Sequence, residues 1–322
     1  MMRRAILKIS ELVRELKPRN IGIAGHVHPD GDCIGSCTSL YLYLKKAHPE
    51  ITDVALYLEE IKGELKNLPG YGRSVHEEDD RVFDLFITCD VSEIERIGVA
   101  KELFGKAVNT ICIDHHVTNP GFADTNIVDA EAGSCAEVLC EMYDRQFMDR
   151  DIASCLYTGM IHDTGVFQYQ NTRPKTLRLA ADLLEYGIDF SSIIDRSFNE
   201  RTFVQSRIMG YTLNKAQLYH SGKTAAVTLS ISEMKEYGAT LEDLDMIVSQ
   251  LRFIEGVEAA IFAYEVSDGY WKLSMRSKSV LDVSKACAVF GGGGHVRAAG
   301  CNMSGDEKQV LDGALAVIGE ML

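Results

Sequence analysis

The 322-residue sequence lacks several features that would each indicate a particular class of protein. It has no apolar run approaching the roughly 20 residues that a membrane-spanning helix needs, and it contains neither an internal repeat nor a low-complexity tract. Positive charge is scarce, since 33 lysines and arginines stand against 47 aspartates and glutamates, for a formal net charge of −14. This deficit argues against binding long nucleic acids through a broad basic surface. It does not exclude a small phosphorylated substrate held by metal ions and a few arginines.

The cysteines also lack any Cys-x-x-Cys spacing, which many metal and redox motifs use. There are nine, an odd number, and several lie in apolar stretches, as Cys89, Cys112 and Cys155 do. Buried free thiols have this distribution. The N-terminus begins with basic residues, but acidic residues follow within a few turns of the predicted helix, which is not the pattern of a secretion signal. We therefore expect a cytoplasmic protein in a reducing compartment.

The apolar residues that are present predict an α/β fold with two domains. Hydrophobic residues make up 46% and charged residues 25% of the chain, which is ordinary for a globular protein. Short stretches that are apolar throughout alternate with helical ones in the first part, a pattern typical of a parallel sheet covered by helices. The predicted strands are residues 21–26, 54–58, 84–89 and 109–113, and the predicted helices are residues 3–17, 33–46, 134–147, 151–161 and 177–186.

The remaining chain predicts a connector and a smaller domain. We expect residues 1–187 to form the first domain, residues 188–219 a helical connector without strands, and residues 220–322 a second, α+β domain. The last of these has a strand pattern at 224–231, a hairpin of strands at 258–266 and 270–276, and a final helix at 309–321.

One loop dominates the chemistry of the sequence. After the first predicted strand come His26-Val27-His28-Pro29-Asp30-Gly31-Asp32, which place two carboxylates and two imidazoles within seven residues. Pro29 and Gly31 allow the backbone to turn and direct the side chains towards one point. Because the carboxylates repel each other, the loop predicts half of a metal site formed by His26, Asp30 and Asp32, with His28 as a loop residue.

Two further predicted strands end in side chains that could bind a metal. Asp90 follows one of them, and Asp114-His115-His116 follow the next. In open α/β sheets the ligand crevice lies beyond the carboxyl ends of the strands, so we expect these groups to converge. Carboxylates and imidazoles without thiolates favour Mn²⁺ or Mg²⁺. There are too many for one ion, whereas two ions about 3.5–4 Å apart can prepare a water molecule for attack on phosphorus.

The sequence resembles the DHH/DHHA1 phosphoesterase family over nearly its whole length. The resemblance depends on five motifs in the order of the family: His-x-x-x-Asp-x-Asp, the lone Asp90, Asp-His-His, His162-Asp163, and Gly-Gly-Gly-Gly-His ending at His295. In length the chain is most similar to the bifunctional oligoribonuclease/pAp-phosphatase (nanoRNase) branch. The resemblance implies hydrolysis of very short RNA oligonucleotides to mononucleotides and dephosphorylation of 3′-phosphoadenosine 5′-phosphate (pAp), with two divalent ions, Mn²⁺ before Mg²⁺.

The resemblance also implies roles for individual residues. The implied metal ligands are His26, Asp30 and Asp90 for one ion, and Asp32, Asp90, His115 and Asp163 for the other. Asp90 would bridge the ions, Asp114 would orient the neighbouring histidine, and His116 would contact the phosphate or assist the leaving oxygen. Asp163 is favoured over His162 by the order of the motifs. The implied substrate contacts are Arg276, Ser277, Gly292, Gly293, Gly294 and His295, while a contact from Arg297 is left open.

Other functions stay open at this point. A phosphodiesterase for linear or cyclic dinucleotides (pApA, pGpG, cyclic-di-AMP) would use the same metal motifs, whereas the glycine-rich nucleotide-binding segment disfavours a pyrophosphatase or exopolyphosphatase. A non-catalytic, metal-clamped nucleotide-binding module is a third reading, although a structural site needs no second ion with an open position. We expect no membrane partner, and a homodimer is one assembly that such a chain could form.

Overall fold

The chain divides into two compact units, Met1–Glu200 and Arg201–Leu322. The computed structural model describes residues 7–61, 63–77 and 79–322. Each unit has hydrophobic core clusters of its own, with Ile23 and Ile87 among the buried residues of the first and Ile261 and Leu273 among those of the second.

Parallel strands form the sheet of the first unit, and within the described residues there are six of them. They are β1 Asn20–Ala24, β2 Asp53–Tyr57, β3 Ser74–Val75, β4 Leu85–Cys89, β5 Thr110–Asp114 and β6 Thr125–Val128. Their order is β3-β2-β1-β4-β5-β6, so the direction of winding reverses between β1 and β4. A doubly wound sheet opens a crevice at such a switch point, beyond the carboxyl ends of the strands. The predicted α/β class with a parallel sheet is confirmed.

Helices accompany this sheet throughout the first unit. They are α1 Ile9–Leu16, α2 Gly31–Ala47, α3 Lys101–Lys106, α4 Cys135–Met142, α5 Arg150–Asp163, α6 Pro174–Leu184 and α7 Phe190–Ile194, and a π-helical turn, Asp195–Asn199, follows α7. Helices α2 and α5 pack very closely, because a Cβ atom at Gly35 would lie only 2.4 Å from the carbonyl oxygen of Cys155. This close packing brings Asp32 at the start of α2 near Asp163 at the end of α5.

The second unit is a mixed sheet with helices, as the α+β prediction requires. Its strands are β7 Gln217–Tyr219, β8 Thr224–Leu229, β9 Ala259–Ser267, β10 Tyr270–Ser277, β11 Gly293–His295 and β12 Ala298–Ser304, in the order β11-β12-β10-β9-β8-β7. Only β8 and β9 pair in parallel among these described strands. Its helices are α8 Phe203–Lys215, α9 Ile231–Tyr237, α10 Ile247–Arg252, α11 Val283–Ala288 and α12 Glu307–Met321.

Several predicted bounds were wrong. The helix predicted to reach residue 147 ends at Met142, because Tyr143 adopts an extended conformation while its ring stacks on Tyr43, with centroids 4.1 Å apart. The predicted connector, 188–219, contains strand β7, contrary to expectation, and its helices α7 and α8 belong to different units. The first helix begins at Ile9, and residues 3–6 of the predicted helix lie outside the described residues.

All nine cysteines lie within the described residues and are free thiols, and each except Cys140 is buried. No helix in the part of the chain that the structure describes combines the length and apolarity needed to cross a membrane.

Candidate metal centre

The carboxyl edge of the parallel sheet collects acidic and imidazole side chains from five segments. His26 lies two residues beyond β1, Asp90 directly follows β4, and Asp114 is the last residue of β5. The start of α2 contributes Asp32, and the end of α5 contributes Asp163. The switch point between β1 and β4 therefore lies among them, as expected for a site in this kind of sheet.

A first cluster consists of His26, Asp30 and Asp90, whose ligand atoms all lie within 4.8 Å of one another. His26 Nε2 is 3.8 Å from Asp30 Oδ1 and 3.4 Å from Asp90 Oδ2. The other ring nitrogen, Nδ1, lies 2.8 Å from the carbonyl oxygen of Val27. A proton on Nδ1 would be donated to that carbonyl, which leaves Nε2 with its lone pair directed towards the carboxylates.

A second cluster consists of Asp32, His115 and Asp163, within the same distance limit. His115 Nε2 is 3.0 Å from Asp163 Oδ2 and 3.9 Å from Asp32 Oδ2. Asp32 is fully buried and accepts hydrogen bonds from the backbone N–H groups of Cys135 (2.6 Å) and Ala136 (3.0 Å). These groups are at the N-terminus of α4, where the helix dipole favours a negative charge.

Asp90 connects the two clusters. Its Oδ2 faces His26 at 3.4 Å, while its Oδ1 faces His115 Nε2 at 3.5 Å. The backbone of Asp90 is left-handed, with φ of 59°, and its N–H donates to the carbonyl of Ile113 at 3.0 Å. A non-glycine residue in this conformation is uncommon and is often found where the geometry of a site requires it. The two oxygens of one carboxylate thus point to different groups of ligands.

His116 belongs to a separate arrangement beside these clusters. Its Nδ1 lies 2.8 Å from Asp114 Oδ1 and 3.6 Å from Asp90 Oδ1. The second oxygen of Asp114, which is fully buried, accepts from Asn119 Nδ2 at 2.7 Å. Asp114 therefore orients His116, and not His115, and leaves His116 Nε2 available. Asp90, His115 and His116 also lie close enough to form a third group of possible ligands.

The charges at the centre shift the pKa values of its members. Burial disfavours the charged imidazole of His115, but Asp163 and Asp90 outweigh burial and raise its pKa to about 12. Burial likewise opposes ionisation of Asp90, yet His115 and His26 lower its pKa. For Asp32, burial and then the charges of Asp90 and Asp163 raise the pKa. The centre holds more negative charge than its own histidines neutralise, and a divalent cation would relieve this repulsion.

The donor set fits a divalent metal. Within the described residues, Asp90 Oδ1 and His115 Nε2 are buried atoms without a hydrogen-bond partner, although His115 Nε2 lies 3.0 Å from Asp163 Oδ2. Buried polar atoms without partners are rare, and bound ions are one explanation for them. The ligands are carboxylate oxygens and imidazole nitrogens, which suit Mn²⁺ and Mg²⁺.

His162 and His28 lie outside the three groups of possible ligands. The ring of His162 packs on Phe198, with centroids 4.8 Å apart, and fills the space where a Cβ of Gly31 would stand. Burial lowers the pKa of His162. The side chain of His28 is 95% exposed. The alternative in which His162 replaces Asp163 as a ligand therefore has no geometric support among the described residues.

The predicted substrate-binding residues lie in the second unit. Arg276 and Ser277 end β10, and Gly293, Gly294 and His295 form β11, which is exposed. Gly292 precedes β11 and lies against β12, so close that a Cβ atom there would be 2.3 Å from the carbonyl oxygen of Gly300. The fold itself thus requires a glycine at this position, apart from any ligand.

Arg297 has a structural partner in this unit. Its Nη1 donates to the carbonyl of Leu281 at 2.8 Å and lies 3.4 Å from Ser277 Oγ. The guanidinium group therefore supports the chain beside the end of β10.

Sequence reasoning missed several residues that hold the centre in place. Asn119 fixes Asp114, Ser36 donates to Asp32 Oδ1 at 3.1 Å, and Glu59 accepts from the backbone N–H of His28 at 2.7 Å. Asn119-Pro120 carries a turn signal, which marks that segment as a turn but does not identify the partner of Asn119. Ser36 and Glu59 carry no signal in the sequence that separates them from ordinary polar residues.

A carboxylate–imidazole centre at the switch point of a parallel sheet is typical of metal-dependent hydrolases. The model of the DHH family, N-terminal domain, matches residues 20–160, and that of the DHHA1 domain matches residues 223–322. The chain therefore belongs to the DHH phosphoesterase family and is a hydrolytic enzyme.

Relatives of known name match almost the whole chain. A protein of Thermus thermophilus named bifunctional oligoribonuclease and PAP phosphatase NrnA is 33% identical over 312 residues, covering 94% of this chain and 90% of the relative. The Bacillus subtilis protein of the same name is 27% identical, covering 91% and 93%. A solved structure of an exopolyphosphatase-related protein from Bacteroides fragilis is similar with a TM-score of 0.83 and 25% identity, covering 97% and 94%.

Proposed function

We propose that this enzyme hydrolyses very short RNA oligonucleotides to mononucleotides and removes a phosphate from pAp, using two divalent ions, with Mn²⁺ preferred. The names of the relatives from Thermus thermophilus and Bacillus subtilis support both substrates. One observation carries the two-ion proposal: the carboxylate of Asp90 directs Oδ2 to His26 and Oδ1 to His115. His26 and Asp30 would complete one ion site, and Asp32, His115 and Asp163 the other.

The residues around the ions would hold the substrate and move a proton. When bound, a pair of divalent ions lowers the pKa of water and stabilises charge on the phosphoryl oxygens. Asp114 is the main cause of the raised pKa of His116, so this imidazole carries a proton at higher pH than a free one. With Nδ1 held by Asp114, His116 Nε2 is free to donate a proton to the leaving oxygen. Asn119 keeps Asp114 in place for this role.

We propose that the second unit binds the nucleotide. Arg276 and Ser277 end one strand, and Gly292, Gly293, Gly294 and His295 lead into or form the short strand β11. A guanidinium group and glycine N–H groups suit a phosphate. Gly293 and His295 are exposed, which supports a role in contacting a ligand.

The test uses purified protein with Mn²⁺, offered pAp, an RNA dimer, an RNA pentamer and cyclic-di-AMP in parallel. The key variant is Asp90→Asn. Asparagine tolerates the left-handed backbone that Asp90 adopts, but its side chain has one oxygen instead of two. We expect it to lose more than about 100-fold in kcat/KM, beyond the 10–100-fold typical of residues that only support a ligand. The matched control is Asp312→Asn on the exposed face of α12, which should keep normal turnover.

The results separate the alternatives. Near-normal turnover by Asp90→Asn would contradict the two-ion site. Efficient cleavage of cyclic-di-AMP alone would favour a dinucleotide phosphodiesterase. Saturable nucleotide binding without release of phosphate or mononucleotide, by an otherwise intact protein, would contradict catalysis on these substrates.

A further inference from the structure

A cavity of about 250 Å³ lies along α5 in the first unit, from Arg150 to Thr158. Its walls come from the segment 64–69, from the α5 residues Arg150, Ser154 and Thr158, and from residues 189–197 in α7 and the π-helical turn. A second, more open cavity of about 310 Å³ has His28 and Pro29 of the metal loop in its wall. Leu65 lines both cavities. The two cavities therefore lie next to each other at this side chain, and the second one is bounded by the residues that precede Asp30.

Two guanidinium groups, those of Arg150 and Arg196, line the first cavity. Neither Arg150 nor Arg196 forms an ion pair with any residue that the structure describes, and Arg196 Nε donates to the carbonyl of Ser192 at 3.2 Å. Carboxylates are nearby, but two are engaged locally: Asp189 accepts from the backbone N–H of Ser192 at 3.2 Å, and Glu64 accepts from Asn67 at 2.9 Å. The remaining donors of the two guanidinium groups are therefore available to a ligand.

The chemistry of the walls selects the kind of ligand. The arginines suit a phosphate, which they can bind with paired N–H groups. Asp151 and Glu64 accept hydrogen bonds and would repel a simple anion, whereas they suit the hydroxyl and amino groups of a nucleotide. Leu65, Leu68 and Pro69 supply apolar surface for a base or sugar. One ligand that carries all three kinds of group is a nucleotide unit.

Helix geometry gives the position of this cavity relative to the metal centre. Thr158 and Arg150 precede Asp163 on α5 by five and thirteen residues, so they lie about 7.5 Å and about 20 Å from it along the helix axis, at 1.5 Å per residue. A single nucleotide held at the metal centre would not reach Arg150. The following nucleotides of an oligonucleotide would reach it.

We propose that this cavity is a subsite for the part of an RNA oligonucleotide beyond the nucleotide being released, with Arg150 and Arg196 binding its phosphates. The inference rests on the proposed function, because it requires an oligonucleotide substrate at the metal centre. In this proposal, residues of the first unit that are not metal ligands distinguish an RNA substrate from pAp.

The test is the double variant Arg150→Ala/Arg196→Ala in the full chain with Mn²⁺. We expect kcat/KM for an RNA pentamer to fall roughly 10-fold or more for each lost charge-assisted contact, mainly through KM, while kcat/KM for pAp stays unchanged. The double variant Arg150→Lys/Arg196→Lys keeps the charge and should recover part of the loss. Arg178→Ala, on the exposed face of α6, is the control for a change in net charge.

A binding measurement gives a readout besides turnover. In the slow Asp90→Asn background, fluorescence anisotropy with a labelled pentamer should show weaker binding once both arginines are removed. If the wild-type protein cleaves the pentamer and pAp but the double variant does so equally well, the subsite is wrong while the proposed function stands. If the wild-type protein cleaves no RNA at all, the proposed function fails first. A loss that is equal for pAp and the pentamer would also overturn the subsite.

Discussion

Glu59 lies outside the metal clusters but holds the loop that carries two of their residues. Its Oε2 accepts from the backbone N–H of His28 at 2.7 Å, and His28 has a left-handed φ of 54°. The neighbouring N–H of Val27 donates to the carbonyl of Arg96 at 2.8 Å. The loop between His26 and Asp30 is thus fixed from two sides, and Glu59, two residues beyond β2, acts as a positioning residue.

We expect Glu59→Ala to weaken Mn²⁺ binding by about 10-fold or more, in the range found for groups that orient metal ligands. Without the hydrogen bond from Glu59, the left-handed backbone of His28 is no longer held in place. The loop then no longer keeps His26 and Asp30 at a fixed distance from each other. Isothermal titration with Mn²⁺ measures this effect without turnover. Glu59→Gln, which keeps an acceptor oxygen, should retain most of the affinity.

Glu60→Ala is the matched control for this experiment. It removes the same charge one residue later, and Glu60 is exposed and forms no hydrogen bond to any described residue. If both alanine variants weaken Mn²⁺ binding equally, the loss comes from removing a negative charge, and Glu59 does not position the loop.

At the scale of residues, the sequence predicted ligand types better than their supports. Asp32, Asp90 and His115 could be proposed because metal-capable side chains follow apolar strands. The partners of Asp32 are backbone N–H groups of Cys135 and Ala136, more than a hundred residues away. Any sequence supplies backbone N–H groups, so no pattern distinguishes them before the chain is folded.

The glycine run that leads into β11 is the first element whose role can be tested by substitution. A Cβ at Gly292 would lie 2.3 Å from the carbonyl oxygen of Gly300 and 2.4 Å from Cys301 Cβ, whereas one at Gly293 would meet no atom within 4 Å. We expect Gly292→Ala to cost about 1–3 kcal/mol of unfolding free energy, as overpacking does, and Gly293→Ala to leave stability nearly unchanged. Denaturant unfolding of both variants measures the difference. Equal stability would show that the fold does not require glycine at position 292.

The turn after β10 is held by one carboxylate, which makes it sensitive to pH. Glu258, which is buried, accepts from the backbone N–H groups of Ser279, Val280 and Leu281 and from the Ser279 hydroxyl, at 2.7–3.0 Å. Burial opposes ionisation, but these donors, that of Leu281 first, lower the pKa of Glu258 to about 2. Arg297, whose Nη1 donates to the carbonyl of Leu281, depends on the same turn.

The sign of the pH effect follows from this lowered pKa. A carboxyl whose folded pKa is below its unfolded value stabilises the fold above the unfolded pKa, near 4.5, and loses that contribution as the pH falls towards 2. We expect Glu258→Gln to be less stable than the wild type by about 2 kcal/mol at pH 7, with the difference shrinking between pH 4.5 and pH 3. Urea unfolding across this range measures it, and a difference that is constant with pH would contradict the assignment.

Edge strands are the elements that sequence patterns could not predict. Strand β3 has two residues, and β6, Thr125–Val128, alternates between half-buried and exposed positions without an apolar run. Strand β11 consists of two glycines and a histidine, which have low strand propensity, and pairs only because β12 lies beside it. The central strands β1, β4 and β5 were predictable because both of their faces are buried, which requires continuous apolar sequence.

The charge of the whole molecule links metal binding to stability. The net charge is −14, and the first unit gathers the carboxylates of Asp30, Asp32, Asp90 and Asp163 at one edge of its sheet. Without a cation these groups repel one another, so the metal-free fold carries an unfavourable energy that bound ions remove. A ligand that binds only the folded chain stabilises it by about 2.7 kcal/mol when present at 100 times its Kd.

We therefore expect Mn²⁺ to raise the unfolding temperature and EDTA to reverse the increase, with little change in Asp90→Asn because both ion sites lose a ligand. Hydrogen exchange shows where Mn²⁺ binds. The gain in amide protection should be strongest in peptides that cover residues 24–36, 88–93, 112–119 and 160–165. Asp312→Asn, which leaves the clusters intact, should respond to Mn²⁺ like the wild type. If Asp90→Asn is stabilised by Mn²⁺ as much as the wild type, or if protection rises mainly within residues 201–322, the ion binds elsewhere and the assignment of the centre to the switch point of the parallel sheet is wrong.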